Sequence, residues 1–424
     1  MDTVQIGLPR SSTDRAPSQC MGFWNRYPNR FTVILGVVAL LLFVLEHVNG
    51  RFWLNDFRVY YGAGSSLLQG EPLYGVAHGL GTGVFKYAPL LALFYALFAW
   101  LPYSVAASLQ YLLITIAFVD GMRRIDRLVR ERWLNGEQAS YVPLFITALV
   151  GVVHLHRELH LGNINMMLLW MLVVALEALL QDRPLRGGMI LGLAILAKPH
   201  FLVLVPLLAL RRKWKLGGVV LITIAFGLLV PTFFFGWTGN IVAHSDWLQA
   251  MSSHNAALIY TGGDDHRAVN TIYSFIHRAV FQYFIDPPST VEVVAILAVI
   301  ALFIGGFVLW NRKQRNNDRD FSFEYLLLVG LVPCITLTDT EHFLLALPLV
   351  TYLVHRSLHA ADQRWLLAFT VPLLFAYGGN WEDALGPLSD RSVQIGALGI
   401  GTFGIAILCS VLWIRSNRIP STVS

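Results

Sequence analysis

Seven consecutive residues, Asn55-Asp56-Phe57-Arg58-Val59-Tyr60-Tyr61, place a carboxylate, a guanidinium and two phenols side by side. A carboxylate with a neighbouring cation can serve as a general base, and a histidine elsewhere could orient or assist it. Read alone, Asp56 is a solvated loop acid paired with Arg58 sooner than a catalyst. Three further polar groups interrupt long apolar runs: His160-Leu161-Gly162-Asn163, Asn270 to Arg278, and Thr338-Asp339-Thr340-Glu341-His342. Lys198-Pro199-His200 interrupts a fourth run at its centre. Lysine and arginine are natural partners for a phosphate leaving group. His154-Leu155-His156 could suggest metal, but a spacing of two on a helix points the imidazoles apart.

These groups sit in a chain whose composition sets their context. Hydrophobic residues make up 55% of the 424 positions and charged residues 13%, where soluble domains carry about 25% charged residues. The sequence is therefore read as an all-α polytopic membrane protein, because a spanning segment must satisfy its own backbone hydrogen bonds. At roughly 20 apolar residues per span, about 11–12 membrane helices are expected. The net charge of +5 implies no nucleic-acid partner, since the Arg and Lys residues gather in short loops between apolar runs. Cys20, Cys334 and Cys409 lie far apart and show no metal-ligand or disulfide spacing. There is no phosphate-binding glycine loop or dinucleotide fingerprint, so no soluble nucleotide donor and no cofactor is indicated.

Taken in order, residues 1–30 read as a cytoplasmic tail and 31–48 as a retained first helix. Residues 50–86 form a first outer loop containing a short interfacial helix that stops at Gly70. The apolar run 87–122 breaks at Leu101-Pro102, and the basic segment 123–132 returns the chain to the cytoplasm. Residues 141–153 and 164–180 are expected to form a hairpin with 154–163 as its polar tip. The run 187–210 poses a puzzle, because Arg183 and Arg186 precede it and Arg211-Arg212-Lys213 follows it. Two half-helices meeting at Lys198-Pro199 would leave both basic clusters on one side. A span at 216–235 then leads to a long outer loop over 236–290. Spans near 291–310, 324–338, 343–355, 365–378 and 393–414 complete one transmembrane domain over 31–415, with 416–424 as a cytoplasmic tail.

The residues also resemble a known family. Asn55-Asp56-Phe57-Arg58-Val59-Tyr60-Tyr61-Gly62-Ala63-Gly64 is similar to the first-loop signature of glycosyltransferase family 87, polyprenyl-phosphate-mannose-dependent enzymes of the GT-C superfamily. Similar segments follow in the family's order at Phe85-Lys86-Tyr87-Ala88-Pro89, Leu161-Gly162-Asn163-Ile164-Asn165 and Gly192-Leu193-Ala194 to Lys198-Pro199. Asn270-Thr271-Ile272-Tyr273 departs from an Asn-Gln-Ser motif, and Glu341-His342-Phe343 keeps one histidine of two. The resemblance implies a GT-C helical bundle in the cell membrane, with its site on the extracytoplasmic side. It implies transfer of a sugar, mannose above all, with inversion from a polyprenyl-phosphate-linked donor to a glycolipid or glycan acceptor. Asp56 would be the base, His342 would orient it or contact the acceptor, and Lys198, Lys86, Arg58 or Arg267 would meet the phosphate. Tyr60, Tyr61, Asn163, Asn270 and Glu341 would contact substrate, with no metal. The broken helix at Lys198 leaves a secondary transporter or lipid flippase as the alternative, although no internal repeat accompanies it.

Overall fold

The computed structural model describes residues 26–80, 83–134, 136, 141–260, 298, 301–302, 304–309, 317–335, 339–359 and 364–418. Among these the chain is helical, with one isolated backbone bridge between Ala77 and Val84. The protein is an all-α polytopic membrane protein. Among the described residues three helices, Arg30–Val48, Tyr103–Trp133 and Ala397–Ser416, are long and apolar enough to cross a bilayer singly. Their outward side chains suit lipid: Val33, Leu40 and Leu41 on the first are all exposed.

The first helix, α1 (Arg26–Val48), leads through Leu54 into α2 (Asn55–Gln69). Leu54 is buried in the left-handed region at φ 42°, a conformation a non-glycine residue adopts only where its surroundings impose it. A β-branched residue would fit worse still. The Tyr103 hydroxyl fixes this corner by donating to the Trp53 carbonyl at 2.6 Å, and the Asn55 side chain accepts from the Leu80 amide at 2.8 Å. Helices α3 (Pro89–Ala99) and α4 (Tyr103–Leu128) follow, separated at Leu101-Pro102 as the proline predicts.

The expected hairpin is built differently from its sequence reading. Helix α5 (Val142–Val150) bends by 58° at Gly151 into α6 (Val152–Leu161), so residues 154–161 continue a helix instead of forming a loop tip. The turn is confined to Gly162-Asn163-Ile164, after which α7 (Asn165–Leu180) begins. The reason is the cap: Gly162 takes φ 68°, which ends a helix without a side-chain clash.

The puzzle around Lys198 resolves as two half-helices. Helix α8 (Pro184–Ala197) ends at Lys198, a short 3-10 turn Pro199–Val203 reverses the chain, and α9 (Leu204–Leu210) runs back. Fourteen residues of α8 rise about 21 Å, short of the roughly 30 Å hydrocarbon core. Helix α10 (Trp214–Leu229) then runs parallel to α8, with Gly188 facing Val219, Gly192 facing Thr223 and Gly227 facing Leu196. The hairpin therefore returns to the end from which it started, and the basic clusters on either side of it share that end.

Helix α11 (Thr232–Tyr260) corrects the expectation of a loop from residue 236 onward. Its segment Thr232–Ser253 meets α10 at 91°. A crosswise helix can carry His244 and Asp246 without taking them through a bilayer, which is why polarity alone misread it. The remainder of that expected loop lies outside the described residues. The bundle closes with α12 (Asp318–Ile335), a 3-10 segment Thr340–Ala346, α13 (Leu347–His359), α14 (Arg364–Gly378) and, after two short helices, α15 (Ala397–Arg418).

The end opposite Lys198 is tied by buried charge. Arg211, just past α9, forms a two-pronged pair with Glu324 of α12, and both side chains are almost wholly buried. Lys213 reaches Asp318 at 2.8 Å, and His355 contacts Asp126, which also takes Arg130. Removing one partner of a buried ion pair strands the other charge. Glu324→Ala is expected to destabilise the protein by about 3–5 kcal/mol. A thermal scan of the purified protein should show a clear drop in Tm, with a smaller drop for the exposed pair variant Asp318→Ala.

Candidate active site

The site is assembled where α2, the Gly162–Asn165 turn, the tip of the α8–α9 hairpin and the 3-10 segment meet. On α2, residues four apart share a face. Asp56 and Tyr60 therefore point together: the Tyr60 hydroxyl donates to Asn163 Oδ1 at 3.1 Å, and Asn163 Nδ2 donates to Asp56 Oδ2 at 2.6 Å. Tyr60 also contacts the Tyr87 hydroxyl at 3.0 Å.

The same helical geometry corrects two expectations. Arg58 lies two residues beyond Asp56, roughly 200° around the helix at 3.6 residues per turn, so it does not pair with it. Its guanidinium lies over the Tyr103 ring, 4.8 Å from the centroid. Tyr61, three residues after Arg58, shares that face and donates to the Leu101 carbonyl at 2.8 Å. Both residues brace the corner between α3 and α4 and stand apart from the Asp56 group.

Glu341, buried at the start of the 3-10 segment, joins Asp56 through the same asparagine, whose Nδ2 also donates to Glu341 Oε1 at 3.3 Å. Arg157 of α6 donates to Glu341 Oε2 at 3.0 Å. Lys198 stands on the far side of this group. Its Nζ donates to Asn165 Oδ1 at 2.5 Å and to His342 Nε2 at 2.7 Å. An ammonium can only donate, so His342 Nε2 accepts and the imidazole proton sits on Nδ1. Nδ1 faces Glu341 Oε1 at 3.6 Å, too far for a full hydrogen bond. Asn165 in turn donates to Glu158, which also accepts from the Met166 amide.

The structure thus brings together Asp56, Tyr60, Lys86, Asn163, Lys198, Glu341 and His342 from the sequence candidates. The bridge between the first and last of them corrects the sequence reading. His342 does not touch Asp56, because Asn163 and Glu341 are interposed and His342 faces Lys198. Arg267 and Asn270 lie outside the described residues. Arg157, Glu158, Asn165, Tyr87 and Asp339 were missed as site residues. Asn165 had a signal, two positions after Asn163 in the quoted motif. Arg157 and Glu158 were hidden by reading their helix as a loop.

Electrostatics separates the two acids. Burial pushes the Asp56 carboxyl up to about 7, with the negative charges of Glu341 and Asp339 adding to the rise and Lys198 and Lys86 opposing it. Burial works the same way on Glu341, but contacts from His342 and Arg157 outweigh it and hold that carboxyl below the usual range. Asp339 is raised by burial and by Glu341. Burial and the Lys198 charge lower His342, keeping it neutral. Lys86 is lowered by burial, with Asp339 and Asp56 opposing. Carboxylates pushed apart in this way take different roles, one exchanging a proton and one remaining an anion.

Residues 85–338 match the description of glycosyltransferase family 87. The chain belongs to that family. A curated relative, an alpha-(1->3)-arabinofuranosyltransferase from Corynebacterium glutamicum, is 26% identical over 428 residues, covering 98% of this chain and 96% of that protein. As a member of family 87 the chain is a membrane glycosyltransferase of the GT-C class. The family match includes Lys86, Asn163 and Lys198, while Asp56, Glu341 and His342 flank it and are tied to the matched region by the hydrogen bonds above.

Stability should report the Asp56 environment. Its carboxyl rises from 3.8 to about 7 on folding, so the folded chain holds more protons than the unfolded chain between those values. Its contribution is full below about 4 and lost as pH rises through about 7. Asp56→Asn should keep the Asn163 contact while removing that slope, so the variant should match or exceed the parent in Tm at pH 8. A Tm below the parent at pH 8 would contradict the assigned environment.

Proposed function

We propose that this glycosyltransferase moves a sugar from a polyprenyl-phosphate-linked donor to a hydroxyl of a glycolipid or glycan acceptor, with Asp56 as general base. The observation that carries the reading is the shared site of Asp56 and Lys198. A half-buried carboxyl poised near neutrality lies on one side of Glu341, and a buried ammonium on the other. In a single displacement the acceptor oxygen attacks the anomeric carbon as the bond from that carbon to the phosphate oxygen breaks. The acceptor proton passes to Asp56, and the configuration inverts because no covalent enzyme intermediate intervenes. The polyprenyl phosphate leaves with added negative charge, met by Lys198 and Lys86, with the Nδ1–H of His342 close by. Preorganised positive charge in a low-dielectric site lowers the barrier to such a departure.

A lipid-linked donor accounts for the placement of the polar group at one end of a helical bundle. The concentration of Arg and Lys at the opposite end supports a cell-membrane protein whose site faces the extracytoplasmic side. Arabinofuranose, the sugar named for the full-length relative, is placed ahead of mannose, which the motif resemblance suggested. The sealed base of the α8–α9 hairpin, pinned by Arg211 and Glu324, supports a fixed catalytic element over a moving transport gate.

The test is transfer from radiolabelled polyprenyl-phosphate arabinofuranose and polyprenyl-phosphate mannose in reconstituted membranes. Asp56→Asn should lower kcat by about 10²–10⁴-fold, and the parent's kcat/KM should rise with pH to a plateau above about 7. Full transfer by Asp56→Asn would remove the assigned base. Movement of lipid-linked sugar with no glycosidic product would favour a flippase. Lys198→Met should reduce kcat by a factor on the order of 10², with donor KM affected less.

A further inference from the structure

Asn163 was expected to contact substrate, and its hydrogen bonds leave it nothing with which to do so. A primary amide has two N–H donors and an acceptor oxygen with two lone pairs. The donors go to Asp56 Oδ2 at 2.6 Å and Glu341 Oε1 at 3.3 Å. The oxygen accepts from the Tyr60 hydroxyl at 3.1 Å and from the Ile164 backbone amide at 2.7 Å. The orientation of the amide is forced by chemistry, because a backbone N–H only donates and an ionised carboxylate only accepts. The residue is 3% exposed. Its position follows from Gly162, whose left-handed φ of 68° turns the chain, with Phe57 Cβ only 2.8 Å from where a β-carbon would sit.

We infer that Asn163 is a positioning residue for the catalytic base: by holding Oδ2 of Asp56 and one oxygen of Glu341 on a single amide, it leaves Asp56 Oδ1 for the acceptor hydroxyl and keeps two adjacent carboxylates in distinct roles. This rests on Asp56 being the base. Among the described residues Oδ1 of Asp56 accepts no hydrogen bond, while Oδ2 is committed. Without the amide, the two acids would face each other with no donor between them, and a charged carboxylate that loses a donor becomes harder to ionise. The other groups facing Asp56 are Asp339 just before the 3-10 segment, Lys198 from the hairpin tip, Lys86 from the loop before α3 and Tyr60 and Tyr87 nearby. Arg157 of α6 also senses its charge. None of these takes the place of the amide between the two acids.

The experiment measures kcat and KM against pH for the parent, Asn163→Ala, Asn163→Asp and Tyr60→Phe, in membranes with the donor that the parent uses. Asn163→Ala should lose about 10-fold or more in kcat at pH 7 with donor KM changed less than about 3-fold. Its ascending limb should move to higher pH, so that part of the loss is recovered by pH 9. Asn163→Asp should move the limb further, since it adds a fourth acid beside Asp56, Glu341 and Asp339. Tyr60→Phe, which removes a hydroxyl and little volume, should give the same direction with a smaller shift, and it keeps the test open if the Asn163 variants fold poorly. Loss of activity with an unmoved limb in the variants that fold would overturn the inference, as would parental activity in Asn163→Ala. Asp56→Asn measured alongside separates the two claims: a dead Asp56→Asn with unmoved limbs refutes the role of Asn163 alone, whereas an active Asp56→Asn refutes the base itself.

Discussion

The site depends on one tight turn, Gly162 to Asn165, in which Asn163 uses all of its side-chain hydrogen-bonding capacity and Asn165 both donates and accepts. Asn163 spans Asp56 and Glu341, and Asn165 spans Glu158 and Lys198. Two residues apart in sequence, they hold the acid half and the basic half of the site from one short stretch of backbone. Buried polar groups are costly when unpaired and rigid when fully paired, so the turn fixes side chains that come from four separate elements. Gly162 makes this possible because a left-handed cap followed at once by α7 leaves no slack between the two amides.

The second requirement is a buried lysine held at a reversal of the chain. The α8–α9 hairpin meets it by rising from the basic end, reversing at Lys198-Pro199 and descending to Arg211. Proline removes an amide donor at the reversal, and Lys198 takes an extended conformation there. The base of the hairpin is secured by the buried Arg211–Glu324 pair, and one flank by the small-residue contact between α8 and α10. A flexible, strongly hydrated side chain is thereby held between an amide oxygen and an imidazole.

Charge is arranged with equal economy. Lys198, Lys86 and Arg157 approach Asp56, Asp339 and Glu341 from different elements, and the balance leaves Asp56 near 7 while Glu341 stays anionic. Had Arg58 paired with Asp56, as adjacency in sequence suggested, the base would have been held ionised and weakened as a proton acceptor. The helix prevents this by directing Arg58 onto Tyr103.

Much of this was legible in the amino-acid sequence. Apolar runs with basic flanks determine a helical membrane bundle, because a helix satisfies its own backbone in lipid and the runs are too long for barrel strands. The two basic clusters around 187–210 require a reversal, and Lys198-Pro199 marks it. The type of residue at Asp56, Asn163, Lys198 and Glu341-His342 points to acid–base and phosphate chemistry. Only the tertiary structure decided which of them meet. The spacing Asp56–Arg58 looks like a pair in an extended loop and becomes a divergence once the segment is a helix, since period 3.6 replaces adjacency. Residues 154–161 read as a polar tip until packing shows a helix from which half-exposed Arg157 reaches buried Glu341 and buried Glu158 accepts from Asn165. Contacts across more than 100 positions, such as Asn163 to Glu341, depend on how helices pack, and no local pattern encodes that.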